Sequence, residues 1–119
     1  MSGAMDMDEL YSRICHVVAD EGLYLEERLS LDRLAREVSS NRTYVTRALG
    51  AKSVTFNQLV NSFRARHAID YIMSRDCRGV SLIEIAEASG FSSCRTMNRY
   101  IKQSAGFSAC ALISRLYGP

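Results

Sequence analysis

Two segments of the chain repeat one pattern of apolar and polar residues, 51 positions apart. Leu31–Leu49 reads LDRLAREVSSNRTYVTRAL, and Leu82–Ile101 reads LIEIAEASGFSSCRTMNRYI. In each copy, a short run with apolar residues at helical spacing is followed by a small polar break and a second run of the same kind. One extra residue in the second copy aligns Arg47 with Arg99. The repeat therefore predicts two copies of a helix-turn-helix.

The charge is unevenly distributed along the chain, although the net charge is only +2. Residues 1–32 contain eight acidic and two basic residues, whereas residues 33–119 contain five acidic and thirteen basic residues. The positive charge thus lies in the part that contains the repeat, as a phosphate-binding surface requires. Thirteen of the fifteen basic residues are arginine, whose planar guanidinium can donate two hydrogen bonds to guanine or to a phosphate. A GC-rich coding sequence would explain the same excess equally well.

Helical periodicity predicts an all-α fold of about seven helices, since no segment alternates apolar and polar residues as a half-buried strand does. Gly50 is expected to end the second helix of the first copy. Gly90 is expected to supply a left-handed turn position, and Phe91 to fill the space between the helices of the second copy. The predicted helices span residues 8–21, 31–38, 42–49, 56–75, 82–89, 93–105 and 108–116. The predicted N-caps include Ser30, Asn41, Ser53 or Thr55, Ser81 and Ser92.

The composition argues against several classes of protein. No run of 18 apolar residues and no signal-peptide pattern is present, so we expect a cytoplasmic chain that neither spans a membrane nor is secreted. Residues Met1–Met5 read MSGAM, which is typical of a cloning remnant, with a native start as the alternative. No CxxC pair and no metal-finger spacing is found among the cysteines, which predicts reduced thiols and no metal. These cysteines are Cys15, Cys77, Cys94 and Cys110.

The second copy of the repeat contains the most specific motif. Ile85–Ser93 reads IAEASGFSS, and it is followed by Met97-x-Arg99-x-Ile101-Lys102 and then by Gly106. This pattern resembles the signature of the DNA-binding domain of the AraC/XylS family of bacterial transcription regulators. The resemblance extends over residues 30–113.

The resemblance implies two homeodomain-like helix-turn-helix subdomains joined by a long linker helix. It places an AraC-type DNA-binding domain at residues 6–119, with the first subdomain at about 6–55, the linker helix at about 56–75 and the second subdomain at about 79–117. Phe56–Ile72 is similar to the family's linker helix, with Arg64 and Ala68 at its usual arginine and alanine positions. A 20-residue helix is about 30 Å long, and successive major-groove faces lie about 34 Å apart. The two subdomains are therefore predicted to enter adjacent major grooves of double-stranded DNA.

The chain also departs from the family pattern. Ser39 stands where the family often has glycine, and the segment after Leu49 is one residue short. The usual proline after the last glycine is replaced by Ala109, and the usual C-terminal Tyr-Arg by Leu112-Ile113. Aromatic positions of the family hold Leu49, Met97 and Ile101.

The second helix of a helix-turn-helix lies in the major groove, where each base pair presents its own set of donors and acceptors. Arginine would contact guanine there, Asn98 could pair with adenine, and threonine methyl groups could touch thymine. The alternatives are solvated helix faces and, for Cys94, a small packing residue. The predicted base-reading residues are Arg42, Thr43, Thr46, Arg47, Cys94, Arg95, Thr96, Asn98 and Arg99.

Phosphate contacts are predicted at the helix N-termini, where backbone N–H groups point outward. Arg64 could contact a phosphate or, as the alternative, bind a carboxylate inside the domain. The predicted phosphate contacts are Ser40, Asn41, Lys52, Ser92, Ser93 and Lys102.

The sequence thus predicts a sequence-specific DNA-binding domain of a bacterial transcription regulator, associated with the nucleoid and without a cofactor. RNA polymerase and a ligand-sensing or dimerisation domain of a longer protein are further partners that the resemblance implies, and a small stand-alone regulator is the other architecture. The alternative function is a protein-interaction module that kept the fold and lost its DNA affinity. An enzyme is not expected, because no paired carboxylates, Cys/His cluster or phosphate loop is found, and His16 and His67 read as ordinary helix residues.

Overall fold

The computed structural model describes residues 6–119, so the proposed cloning remnant at residues 1–5 lies outside the described residues. Within residues 6–119, all regular structure is helical and no strand is present, which confirms the all-α prediction. None of the helices in this range is long and apolar enough to cross a bilayer. The seven α-helices are α1 (Met7–Cys15), α2 (Leu31–Glu37), α3 (Arg42–Gly50), α4 (Phe56–Met73), α5 (Leu82–Ala88), α6 (Cys94–Ala105) and α7 (Ala109–Tyr117).

The chain divides into two units, of which the first ends at Val60 and the second begins at Asn61. The boundary lies inside α4, five residues after the start of this helix. The first unit contains the first copy of the repeat as α2 and α3, and the second unit contains the second copy as α5 and α6. Each copy therefore belongs to its own compact unit.

In the first unit, α1 and α2 both pack against α3. Ser30 begins α2, because its Oγ accepts a hydrogen bond from the Arg33 N–H at 3.1 Å. The guanidinium of Arg13 on α1 donates to the Val38 carbonyl at 3.2 Å and so ties α1 to the end of α2. The buried apolar residues of this unit are Leu10, Ile14, Val17, Val18, Leu23, Leu34, Ala35, Val38, Val45, Ala48, Leu49, Leu59 and Val60.

The first helix differs from its prediction in its last turn. The sequence predicts one helix over residues 8–21, but α1 ends at Cys15 and a π-helical turn, His16–Asp20, continues it. The Glu21 N–H donates to the His16 carbonyl at 3.0 Å, which is the five-residue spacing of a π turn. Gly22, at φ 76°, then ends the helix as expected. The connector that follows includes a short 3-10 turn, Leu23–Leu25.

The turns of the two helix-turn-helix copies share one backbone conformation. After α2, Ser39 has φ 56° and the Ser40 N–H donates to the Ala35 carbonyl at 2.8 Å. After α5, Gly90 has φ 86° and the Phe91 N–H donates to the Ala86 carbonyl at 2.9 Å. Serine thus occupies, in the first copy, a left-handed position that glycine adopts without strain.

Ser39→Gly is expected to stabilise the first unit by about 0.5–1 kcal/mol, because a left-handed conformation costs an L-residue roughly 1–2 kcal/mol and glycine loses part of that gain through its unfolded-state entropy. Thermal unfolding followed by circular dichroism measures the change. The reverse substitution at the matching position, Gly90→Ser, serves as the control and should destabilise by at least about 1 kcal/mol. A lower melting temperature for Ser39→Gly would contradict the assignment of strain.

Helix α3 ends at Gly50, as predicted. The left-handed position of this exit comes three residues later, at Ser53 with φ 56°. Of the two predicted caps for the long helix, Thr55 is the correct one. Its Oγ1 accepts from the Gln58 N–H at 3.1 Å, and the Gln58 Oε1 accepts from the Thr55 N–H at 3.0 Å. This reciprocal pair of hydrogen bonds is a capping box. Apolar periodicity alone does not distinguish Thr55 from Ser53 as the cap.

In the second unit, α6 packs against both α5 and α7. Phe91 is 1% exposed and lies in the core, as predicted. Ser89, at the end of α5, is fully buried, and its Oγ lies 3.0 Å from His67 Nδ1 on α4. The Tyr117 hydroxyl donates to the Ile72 carbonyl and so joins the end of α7 to α4. The core contains Ala65, Ala68, Ile72, Cys77, Ile85, Ala86, Phe91, Met97, Ile101, Ala109 and Ile113.

Two boundaries of the second unit also differ from the prediction. The long helix α4 ends at Met73 and not at residue 75. Ser93, not Ser92, is the N-cap of α6, because its Oγ accepts from the Thr96 N–H at 3.1 Å. In the first copy, the cap Asn41 directly follows Ser40, whereas in the second copy Ser92 lies between Phe91 and the cap Ser93. Ser92 is therefore the extra residue of the second copy.

Candidate nucleic-acid interface

The exposed face of α3 consists of polar and aromatic side chains without an acidic residue. Val45, Ala48 and Leu49 are buried at helical spacing and fix the orientation of the helix. The residues between them are therefore turned outward. The exposed side chains of α3 are those of Arg42, Thr43, Tyr44, Thr46 and Arg47.

Helix α6 presents a face of the same character. Met97 and Ile101 are buried, and the exposed basic residues are Arg95, Arg99 and Lys102. As in α3, no acidic residue occurs in the helix, whereas its partner α5 contains Glu84 and Glu87. In the second copy, the exposed basic charge is thus on the second helix, whereas in the first copy α2 also contains the exposed Arg36.

The two predicted arginines at matching positions are both exposed and both lie beside a tyrosine ring. The Arg47 Cζ is 5.8 Å from the centroid of the Tyr44 ring, and the Arg99 Cζ is 5.2 Å from that of Tyr100. At these distances, a ring attracts a guanidinium weakly and restricts its motion. The guanidinium groups themselves remain in solvent, where a ligand can reach them.

Two of the predicted DNA-contacting cations in the first unit have carboxylate partners. The Arg42 Nε lies 3.4 Å from Asp32 Oδ1, and the Lys52 Nζ lies 3.2 Å from Asp8 Oδ1. All four side chains are largely exposed, so each ion pair contributes little stability. Any phosphate or base that binds Arg42 or Lys52 nevertheless has to compete with an acid of α1 or α2.

The predicted phosphate contacts at the helix N-termini are partly used for capping. Asn41 Oδ1 accepts from the Tyr44 N–H at 3.0 Å, which leaves its Nδ2 group as the donor. The Ser93 hydroxyl lies 3.0 Å from Thr96 Oγ1 in addition to its capping bond. Ser92 and Lys102 are exposed, and Ser40 is half-buried in the turn. The hydroxyl of Ser93 is thus held within the helix start, whereas Ser92 and Lys102 are accessible to a phosphate.

Asn98 has a structural partner that the sequence did not indicate. Its Oδ1 accepts a hydrogen bond from the Ala109 N–H at 3.0 Å, and the contact is partly buried. Ala109 is the first residue of α7, so Asn98 satisfies a backbone N–H that has no partner within that helix. A bidentate pair with adenine requires the same oxygen as an acceptor. The geometry therefore favours a packing role for Asn98 over base reading.

Cys94 and Thr96 are half-buried, in contrast to the exposed Arg95 and Arg99. This burial fits the alternative that Cys94 is a packing residue.

All four cysteines are free thiols, and burial raises the pKa of the Cys77 thiol, which lies in the core. Within residues 6–119, no cluster of three or more His, Cys, Asp or Glu side chains could hold a metal ion.

Arg64 on α4 is 9% exposed, and its Nη1 donates to Asn61 Oδ1 at 3.3 Å. Little of this side chain is open to a ligand in solvent. The structure therefore favours the internal role that the sequence left open for this arginine, with an amide oxygen among its acceptors.

Tyr44 is not among the predicted base-reading residues. An aromatic side chain at helical spacing is commonly buried, yet Tyr44 is 47% exposed. It is one of the large hydrophobic side chains that the structure leaves in solvent, and it lies on the outward side of α3. A finer reading of periodicity could have found it, since Val45, Ala48 and Leu49 alone complete the buried stripe.

Comparison with known proteins places the fold in context. No protein-family model matches the chain, and no curated protein sequence matches it significantly. The chain is similar to the crystal structure of a DNA-binding transcriptional dual regulator from Escherichia coli K-12, with a TM-score of 0.73. The match covers 100% of this chain and 99% of that chain at 18% sequence identity. The two chains therefore share one fold along their whole length.

Proposed function

We propose that the chain is a sequence-specific, double-stranded DNA-binding module of a bacterial transcription regulator of the AraC type. The observation that carries the proposal is that α3 and α6 each present an exposed, acid-free face with an arginine at the same position, Arg47 and Arg99. The shared fold with a DNA-binding transcriptional regulator supports this function. RNA polymerase and a further regulatory domain are partners that such a module would serve in a longer protein.

In the proposed complex, α3 and α6 lie in the major groove, and Arg47 and Arg99 donate two hydrogen bonds each to guanine O6 and N7. Thr43, Thr46 and Arg95 flank them on the exposed faces. Ser92, Lys102 and the Asn41 amide contact phosphates, which fix the register of each helix without reading sequence. Arg42 and Lys52 join these contacts after they leave Asp32 and Asp8.

We also propose that the two helices read successive major grooves on one side of the duplex. Successive major-groove faces lie roughly 34 Å apart. A DNase footprint should therefore extend over about two helical turns. Protection of half a turn would contradict the two-groove arrangement.

Selection of bound sequences from a random DNA pool tests the proposed function. The expected result is one asymmetric consensus with two half-sites about one turn apart. Affinity for this consensus should fall steeply as salt is raised, because phosphate contacts release counterions. Failure to enrich any sequence, at low salt as well, would refute the proposal.

A protein-interaction module remains the second candidate function. The observation that favours it is the pairing of Arg42 and Lys52 with carboxylates, which lowers the basic charge of the first unit that is open to DNA. Such a module would show no salt-dependent gel shift with any DNA. The selection experiment thus separates the two candidates.

Asp32→Asn is expected to strengthen DNA binding, because Arg42 no longer has to break its ion pair with Asp32 before it contacts DNA. The gain should be at most about fivefold, because exposed ion pairs are individually weak. Fluorescence anisotropy with the selected DNA measures the effect. Glu9→Gln removes the same charge from the same unit without touching Arg42 and is the matched control. An equal gain from Asp32→Asn in an Arg42→Ala background would show a general effect of net charge instead of the specific ion pair.

A further inference from the structure

The position of the exposed Tyr44 on α3 is not explained by packing within the first unit alone. Tyr44 is 47% exposed, whereas the apolar residues that hold α3 in place, Val45, Ala48 and Leu49, are at most 2% exposed. Nearly half of this residue stays in water, so burial within the unit accounts for only part of its placement. An aromatic side chain of this kind is typical of a contact surface.

Its position on the helix decides what it can contact. Tyr44 is the third residue of α3, and residues near the start of a recognition helix are the ones that reach base edges. Its ring lies beside Arg47, whose Cζ is 5.8 Å from the ring centroid, so the two side chains occupy one continuous exposed surface. Whatever Arg47 binds is therefore also next to the Tyr44 ring.

The matching position of the second copy has a different side chain. With Val45 aligned to Met97, Tyr44 corresponds to Thr96, whose hydroxyl is 3.0 Å from Ser93 Oγ and whose side chain is half-buried. The first copy thus exposes an apolar ring where the second copy has a small residue bound to its own cap. The two helices consequently offer different surfaces to a ligand.

We infer that Tyr44 is a specificity-determining residue that reads a thymine through its C5-methyl group, next to the base that Arg47 contacts. The inference rests on the proposed function. The major groove presents this methyl as its one apolar feature, and apolar side chains recognise it by contact. A ring held beside Arg47 can cover the methyl of a base adjacent to the guanine, and in doing so it removes apolar surface of both partners from water.

The experiment deletes the methyl group from the DNA and the ring from the protein. Each thymine of the selected consensus is replaced in turn by deoxyuridine, and the wild type, Tyr44→Ala and Tyr44→Phe are titrated against every duplex by anisotropy. Loss of one buried methyl should weaken wild-type binding about fourfold at one or two thymines of the half-site read by α3. Tyr44→Ala should bind those deoxyuridine duplexes and the parent duplex equally. Tyr44→Phe should behave as the wild type.

A control and two contrary results make the test decisive. Leu25→Ala shortens another exposed apolar residue of the first unit, which is 42% exposed, and should retain the full sensitivity to deoxyuridine. If Tyr44→Ala remains as sensitive as the wild type at every thymine, the inference is overturned while DNA binding stands. If Tyr44→Phe loses as much affinity as Tyr44→Ala, the hydroxyl rather than the ring makes the contact, and the inference is also overturned. If the wild type enriches no DNA sequence, the proposed function and this inference fail together.

Discussion

Arg99→Ala is expected to remove the preference for one base pair in the half-site read by α6, a loss of about 1–3 kcal/mol in discrimination. Arg99 is exposed on the acid-free face of α6, and its guanidinium can donate two hydrogen bonds to a guanine in the major groove. Binding of the variant and the wild type to the consensus and to all three substitutions at each position measures the loss. The position at which the variant no longer discriminates identifies the base pair that Arg99 contacts.

Lys102→Ala is the matched control for this experiment, because it removes a positive charge from the same helix at a predicted phosphate contact. It should weaken binding to all sequences about equally and reduce the salt dependence by about one phosphate. Arg47→Ala should mirror Arg99→Ala in the other half-site. Uniform weakening of every sequence by Arg99→Ala would show that this arginine contacts a phosphate and not a base.

Phe91→Ala is expected to destabilise the second unit by about 3–5 kcal/mol, because it removes a large core side chain and leaves a cavity. Phe91 is 1% exposed and lies with Ile85, Ala86 and Met97 in the core that joins α5 to α6. Urea unfolding followed by far-ultraviolet circular dichroism measures the change in midpoint. The loss should appear as an earlier transition for about half of the helical signal, since the first unit has its own core.

Phe107→Ala provides the comparison for the same residue type at the surface. Phe107 is 37% exposed, and its ring lies 4.4 Å from the Arg115 guanidinium carbon. Its removal should cost about 1–2 kcal/mol, less than that of Phe91, since more than a third of the residue is already in water and the cation–π contact is exposed. Equal midpoints for the two variants would show that Phe91 does not support the core of its unit.

The sequence was sufficient where the determinants are local. Helical spacing predicted the seven helices, and the capping residues Ser30, Asn41 and Ser81 lie at the helix starts that they predict. The sequence was not sufficient where two neighbouring residues are equally suited to one role, such as that of an N-cap. Ser92 and Ser93 were equally good caps by composition.

Some features of the candidate site also follow from the sequence, and others depend on how the helices pack. The equivalence of Arg47 and Arg99 follows from alignment of the two copies, and the structure places both on exposed faces. The hydrogen bond of Asn98 to α7 and the ion pair of Arg42 with Asp32 join residues 11 and 10 positions apart in sequence, across different helices. Such contacts depend on how helices pack and leave no periodic signal. Helical spacing alone does not show that Tyr44 is exposed, because an aromatic residue at this spacing is commonly buried.

The caps of α3 and α6 also define a pair of cassettes for protein engineering. Asn41 and Ser93 each bind the third N–H of their helix, and buried side chains such as Val45 and Met97 anchor it one residue later. The exposed positions between these anchors can be randomised without altering what holds the helix in place. A library built on α3 can vary the position of Thr46, whereas the matching position in α6 has to remain asparagine to support α7. In the proposed DNA complex, the base preference is therefore less constrained at the half-site of α3 than at that of α6.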